Sequence, residues 1–410
     1  MLDSARIRQD FPLLRKTDRG ELGIYFDNAA TTFKPQSVID AVLRYYTEGS
    51  VNIHRGEYDL SYAISEAYDE ARAKVAHFIH ADHHEVIFTS GATASMNLVA
   101  MGYVEAVLQP GDVILTLESE HASSLLPLMR AAQRTGATIQ YIPLAPGGRF
   151  DLDAYRNALS DKVKLVAVAH VSNVLGYILP IAEMAKLAHH VGALIAVDGA
   201  QSVPHLLTDV QAWDLDFLSF SSHKMLGPTG LGVLYGKQAL LERMDPVLLG
   251  GGSNARFDRH GQLVMKGAPY KFESGTPAIE AVLGLSAAID YLENLGMDAV
   301  FEAEHALKQR LVEGLAPLEH IVLYNADSPT GIVTFNVKGI PAQDVAFYLN
   351  ANGIMVRSGN HCAKVLVDVI HTPDTVRASL AFYNTAAEVD RLIDVLRSVT
   401  LEACIAITIA

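Results

Sequence analysis

Between residues 85 and 236, short and mostly apolar runs alternate with longer stretches of helical periodicity. The runs fall at residues 85–89, 112–117, 138–144, 163–170, 193–198, 217–221 and 232–235. Strands that are apolar along most of their length are buried on both faces, so this pattern predicts βαβ units and a mostly parallel seven-stranded sheet covered by helices. Ligands then collect where the strands end. After the turn at residues 250–253 the pattern changes. A long helical stretch, residues 278–315, precedes strand-like runs at 321–324, 331–337 and 376–381, with helices near 342–351 and 388–399. That order predicts a smaller α+β domain at the C-terminus. The expected organisation is an N-terminal segment, 1–20, packed with the small domain, a large domain over 21–265, and a small domain over 266–410. The apolar tail, 403–410, is expected to be a terminal strand or a packed tail.

Composition narrows the partners. The chain has 410 residues, half of them hydrophobic, with a formal charge of −14. An acidic surface without clustered Lys and Arg excludes nucleic acid as the expected partner. Two cysteines cannot build a disulfide framework and match no zinc spacing, which points to a reducing cytoplasm. The first 19 residues are charged and lack an apolar signal core. No run reaches the roughly 20 apolar residues that span a bilayer, so no membrane association is expected.

Four groups carry candidate chemistry. Asp198 ends an apolar strand and Lys224 follows the end of the next one. A lysine that forms a Schiff base, paired with an acid that keeps a pyridine nitrogen protonated, suits pyridoxal 5'-phosphate. The turn Ser90-Gly91-Ala92-Thr93 precedes a helix and, with Ser221 and His223, offers an anion cup. His121 and Asn173 lie just after strands, where they reach a cofactor or its substrate. Cys362, beside His361, is a thiol placed to accept a leaving atom. The cluster His80-Ala81-Asp82-His83-His84 reads as a solvated turn, so no metal is expected. Cys404, in the apolar tail, reads as a packing residue.

The runs Asp27-Asn28-Ala29-Ala30-Thr31, His54-Arg55-Gly56, His170 to Gly176, Asp198-Gly199-Ala200-Gln201, Ser222-His223-Lys224, Gly227-Pro228-Thr229-Gly230, Glu273-Ser274-Gly275-Thr276-Pro277 and Arg377-Ala378-Ser379 occur in that order over nearly the whole chain. With the Cys362 segment they resemble a type II cysteine desulfurase of the sulfur-assimilation kind. Those enzymes belong to the class V aminotransferase-like branch of fold-type I pyridoxal-phosphate enzymes.

The resemblance implies a role for each residue. Lys224 would bear the cofactor, Asp198 would meet its pyridine nitrogen, Gln201 its ring oxygen, and His121 would stack on the ring. Ala92, Thr93, Ser221 and His223 would hold the phosphate. Thr276 would reach the phosphate of a neighbouring subunit, which implies a homodimer. Arg377 and Asn173 would hold the substrate carboxylate, with Ala30, His54, Arg55 and His361 on the substrate side. L-cysteine would become L-alanine, and Cys362 would keep the sulfur as a persulfide for a sulfur-acceptor protein, in iron–sulfur cluster assembly or other sulfur transfer. The alternatives are a selenocysteine lyase or another β-eliminating lyase of the branch, or a non-catalytic sulfur-relay protein. Fifteen residues separate Cys362 from Arg377, so a short lobe is expected to shield the persulfide. Ala94, Ala122, Gln343 and Asn360 depart from the family pattern.

Overall fold

The computed structural model describes residues 2–409. Seven strands form the large sheet: β1 (Val86–Thr89), β2 (Val113–Leu117), β3 (Thr138–Ile142), β4 (Val163–Ala169), β5 (Leu194–Asp198), β6 (Phe217–Ser221) and β7 (Gly232–Gly236). Their spatial order is β1-β7-β6-β5-β4-β2-β3. Every pairing is parallel except the two made by β7, which runs antiparallel to β1 and β6. The apolar runs explain the burial: β6 and β7 are buried at all five positions, and β5 at all but its first. Helices lie on both faces, as an all-apolar parallel sheet requires. The structure therefore has the sheet that the alternation predicts, with strand ends that differ by one or two residues.

The small domain is a four-stranded antiparallel sheet. Its strands are β8 (Ile321–Leu323), β9 (Ile332–Val337), β10 (Arg357–Gly359) and β11 (Thr375–Ser379), in the order β8-β9-β11-β10. Helices Ala342–Ala351 and Ala386–Arg397 cover it and share its core.

Two features differ from the sequence reading. The stretch 278–315 is two helices, Ile279–Leu295 and Met297–Leu315, broken at Gly296, whose φ of +83° suits glycine. The first of them packs against Gln36–Glu48 and Asp59–Phe78 and shares the large domain's core, although it follows residue 265 in the chain. The tail, expected as a strand or a packed tail, is the latter, a helix, Leu401–Ile409, packed against Ala342–Ala351.

The N-terminus ties the two domains together. Phe11 packs on Tyr291, Phe382 and Tyr383, and Arg8 bonds the Tyr383 carbonyl at 2.9 Å and Glu388 at 2.9 Å. The two-residue strand Ile24–Tyr25 pairs in parallel with Ile354–Met355, and the Ser379 amide donates to the Phe26 carbonyl at 2.7 Å. Residues 24–30 thus cross from the small sheet to the ends of the large one. Among the described residues no helix is long and apolar enough to cross a membrane.

Candidate active site

β2, β4, β5 and β6 run parallel, so their C-terminal ends lie on one edge of the sheet, and the turn after β1 joins them there. A cavity of about 310 Å³ opens at this edge. Its lining includes Ala30, Ala92, Thr93, His121, Asn173, Asp198, Gln201, Ser221, His223 and Lys224 from the large domain's side, and Arg357, His361, Cys362 and Arg377 from the small domain.

Asp198 is the last residue of β5. Its Oδ2 accepts from the Ser124 hydroxyl at 2.8 Å and its Oδ1 from the Ala200 amide at 2.9 Å. Lys224 ends the single turn that follows β6. Among the described residues none hydrogen-bonds its amine, and burial lowers the pKa to about 8, with Arg377 adding to the fall and Asp198 opposing it. An amine that gives up its proton near pH 8 at a cavity wall is poised to meet a carbonyl compound. Gln201 is fixed by its own amide, which donates to the Ala29 carbonyl at 2.7 Å.

The anion cup is built on a close approach of two backbones. Gly232 sits so near the turn after β1 that a Cβ there would lie 2.4 Å from the Gly91 Cα. The turn opens helix Ala92–Val99, whose first amides point outward from the helix N-terminus. The Ala92 amide donates to Ser221 Oγ at 2.9 Å, and the Thr93 hydroxyl donates to Ser123 Oγ at 2.8 Å. His223 completes the rim, and burial lowers its pKa to about 4, so it is neutral at physiological pH. The donor set, with hydroxyls, helix amides and a neutral imidazole at one end and a lone amine facing a carboxylate at the other, fits an aldehyde that bears a phosphate and a pyridine nitrogen.

His121 caps helix Ala122–Thr135. Its Nδ1 accepts the Ser123 amide at 3.1 Å, which leaves Nε2 to carry the proton of the neutral ring. Burial, reinforced by Lys224, lowers its pKa.

On the substrate side, Arg377 is 3% exposed, and its guanidinium donates to the Asn173 carbonyl at 2.8 Å. Arg377 and Arg357 share one carboxylate: Arg357 forks onto Asp27 at 2.9 to 3.1 Å, and Arg377 reaches it at 3.3 Å. Burial lowers the Arg377 pKa to about 10, still well above neutrality. The Asn173 side-chain amide donates to the His361 carbonyl at 2.8 Å, so one of its donors is spent on the cysteine lobe. His361 is buried, with Nε2 on the Thr375 hydroxyl at 2.9 Å. Burial first, then Arg377, lowers its pKa to about 3, which leaves a ring that resists taking a proton from the thiol.

Cys362 and His361 both have left-handed backbone, at φ +60° and +51°. That conformation costs a non-glycine residue energy, and three bonds hold it here: Asn173 on the His361 carbonyl, the Ala122 amide on the Cys362 carbonyl at 2.8 Å, and Asn360 Oδ1 on the Cys362 amide at 3.0 Å. The side chain of Cys362 lines the cavity but is exposed in the chain taken alone, so the short lobe by itself does not shield it.

Three expected site residues lie elsewhere. His54 and Arg55 are exposed in the loop before helix Asp59–Phe78, and Thr276 is exposed beside Asn52, whose amide reaches it at 3.5 Å. None lines the cavity of its own chain. Conversely, the sequence reading assigned no role to Arg357, Asp27, Ser123 or Ser124. Ser124 was accessible as a signal, since a hydroxyl three residues after His121 falls on the first turn of the helix that His121 caps. Asp82, His83 and His84 bring donor atoms within 4.8 Å of one another on an exposed turn outside the cavity. Cys404 is buried, as read.

Residues 24–392 match the family described as aminotransferase class-V. The chain belongs to that family. Among class-V relatives, a probable cysteine desulfurase of Halalkalibacterium halodurans is 44% identical over 95% of this chain and 96% of its own. The apo cysteine desulfurase of Thermococcus onnurineus superposes with a TM-score of 0.92 at 38% identity, covering 97% of this chain and 98% of that one. The Escherichia coli cysteine desulfurase CsdA, solved as an S-sulfonic acid, superposes at 0.90 with 34% identity and covers 97% and 98%. The class-V fold thus extends over both domains and the cysteine lobe.

Proposed function

We infer that the protein is a cysteine desulfurase that uses pyridoxal 5'-phosphate to convert L-cysteine to L-alanine and leaves the sulfur as a persulfide on Cys362. One observation carries the reading: Cys362 opens into the same cavity as Lys224 and Asp198. A β-eliminating lyase has no need of a thiol there.

The residues divide the work. Lys224 would bind the aldehyde and, once released, hold or return a proton at the substrate's Cα. Asp198, steadied by Ser124 and Ala200, would hold the pyridine nitrogen. Gln201 would hold the ring oxygen and His121 would cover one ring face, with its Nε2 proton directed at the leaving group. Ala92, Thr93, Ser221 and His223 would hold the phosphate. When bound, the cofactor supplies an electron sink that loosens the Cα proton and the Cβ–S bond.

The two arginines, linked through Asp27, would hold the α-carboxylate. The Cys362 sulfur attacks the substrate sulfur; an S–S bond forms as the Cβ–S bond breaks, and the three-carbon fragment takes protons and leaves as alanine.

A homodimer and a sulfur-acceptor protein complete the reading. His54, Arg55 and Thr276 lie outside their own cavity, and the nearby segments 247–249 and 254–265 leave Leu248, Leu249 and Phe257 more than 60% exposed, as suits a face covered by a second copy. Incubating the purified, cofactor-loaded protein with L-cysteine should yield alanine and a Cys362 persulfide detectable by mass spectrometry. Sulfide and pyruvate without a persulfide would favour the lyase.

A further inference from the structure

Glu120 is a carboxyl group without an assigned role, 2% exposed, one residue before His121. It stands in the loop between β2 and the helix that His121 caps. Its Oε1 accepts the Ala169 amide at 3.0 Å, and its Oε2 is buried without a partner. Ala169 ends β4 and pairs in register with Asp198. The two carboxyls therefore meet the same pair of strand ends, one from the loop and one from the sheet.

Their surroundings differ. Asp198 accepts two hydrogen bonds and lies opposite Lys224, while among the described residues Glu120 accepts one and has no cation partner. Two neighbouring carboxyls in a poorly solvated site do not both ionise readily, and the one with fewer donors keeps its proton. We propose that Glu120 is a positioning residue that works as a neutral acid, pinning the His121 loop to the end of β4 beside Asp198. Burial, with Asp198 adding to it, raises the Glu120 pKa to about 8. Asp198 is the charged group that faces Glu120 from the sheet, and His121, held neutral by burial and Lys224, adjoins it in the loop.

A neutral acid and an amide have nearly the same shape and hydrogen bonds, so Glu120→Gln should keep most of the alanine-forming activity. Glu120→Ala, which removes the bond to Ala169, should lower kcat about tenfold with KM little changed. Activity alone rests on the desulfurase reading, so two measurements are independent of it. Infrared difference spectra of the parent should show a carboxylic-acid carbonyl band at neutral pH that fades as pH passes about 8 and is absent from Glu120→Gln.

The second measurement is thermal stability against pH. The folded chain holds the proton up to about pH 8, whereas an unfolded glutamate releases it near 4.5, so unfolding releases a proton between those values. The parent should therefore lose melting temperature relative to Glu120→Gln as pH rises through that window. No acid band in the parent at neutral pH, or Glu120→Gln as defective as Glu120→Ala, would overturn the proposal. The parent's band and its loss above about pH 8 are read on the parent itself, and Glu120→Gln assigns the band. A parent that makes no alanine would count against the proposed function and leave the infrared result to decide Glu120.

Discussion

The main-chain amide of Ala122 donates to the main-chain carbonyl of Cys362 at 2.8 Å. The loop that carries His121 and the lobe that carries the nucleophile are thereby joined across the two domains. Ala122 is also the first residue of its helix, a position where proline is tolerated because the amide has no partner within the helix. His121, at φ −71° and ψ 142°, already has the backbone that a following proline demands. Ala122→Pro should therefore leave the melting temperature within a few degrees of the parent but slow persulfide formation about tenfold, the effect of one lost hydrogen bond. Single-turnover mass spectrometry of Cys362 would measure it.

Cys362→Ala should still bind L-cysteine, seen as a change in the absorption of the loaded protein, but release almost no alanine. Cys404→Ala should match the parent. Parental turnover by Cys362→Ala would end the persulfide mechanism.

Cofactor attachment should depend on pH through Lys224. Only the neutral amine attacks an aldehyde, and with a pKa of about 8 its neutral fraction rises about fivefold between pH 7 and pH 8, then levels off above pH 9. The rate of attachment to the cofactor-free protein, followed by absorbance, should trace that curve. A rate flat across the range would mean that the amine is already neutral.

Arg72 and Glu273 form a buried two-bond pair at 2.7 Å for each bond, and Glu273 also accepts the Phe88 amide at 2.8 Å. Glu273→Ala strands a buried guanidinium, and urea titration should show a loss of about 3 kcal/mol. The segment through Thr276 should loosen with it.

A mixture of Lys224→Ala and Thr276→Ala subunits should regain part of the activity that each lacks, if each site takes its Thr276 from the other copy. Native mass spectrometry would establish that the subunits have exchanged. Exchange without recovery would refute the shared site.

The large sheet was legible because its strands are long apolar runs whose burial is written in their composition, and Asp198 and Lys224 follow directly from where those runs end. β10 was not legible. Arg357-Ser358-Gly359 carries no apolar pattern, and only the ladder with β11 makes it a strand, so Arg357 went unassigned although it lines the cavity. Asp27 was hidden for a similar reason: its function is to join two arginines more than 300 residues away. Glycine at 296 was a local signal that the helical periodicity on either side concealed. Of the two expectations for the tail, the packed one holds: helix Leu401–Ile409 lies against helix Ala342–Ala351 with Cys404 buried.

The N-terminal tie has a consequence for how the chain is born. Arg8 and Phe11 are made long before Tyr383 and Glu388, their partners. A contact spanning 375 residues cannot form until its later partner has been made, so Arg8 and Phe11 wait for Tyr383. Joining of the two domains is then a late step of folding, and the waiting Phe11 is where a chaperone has most to protect.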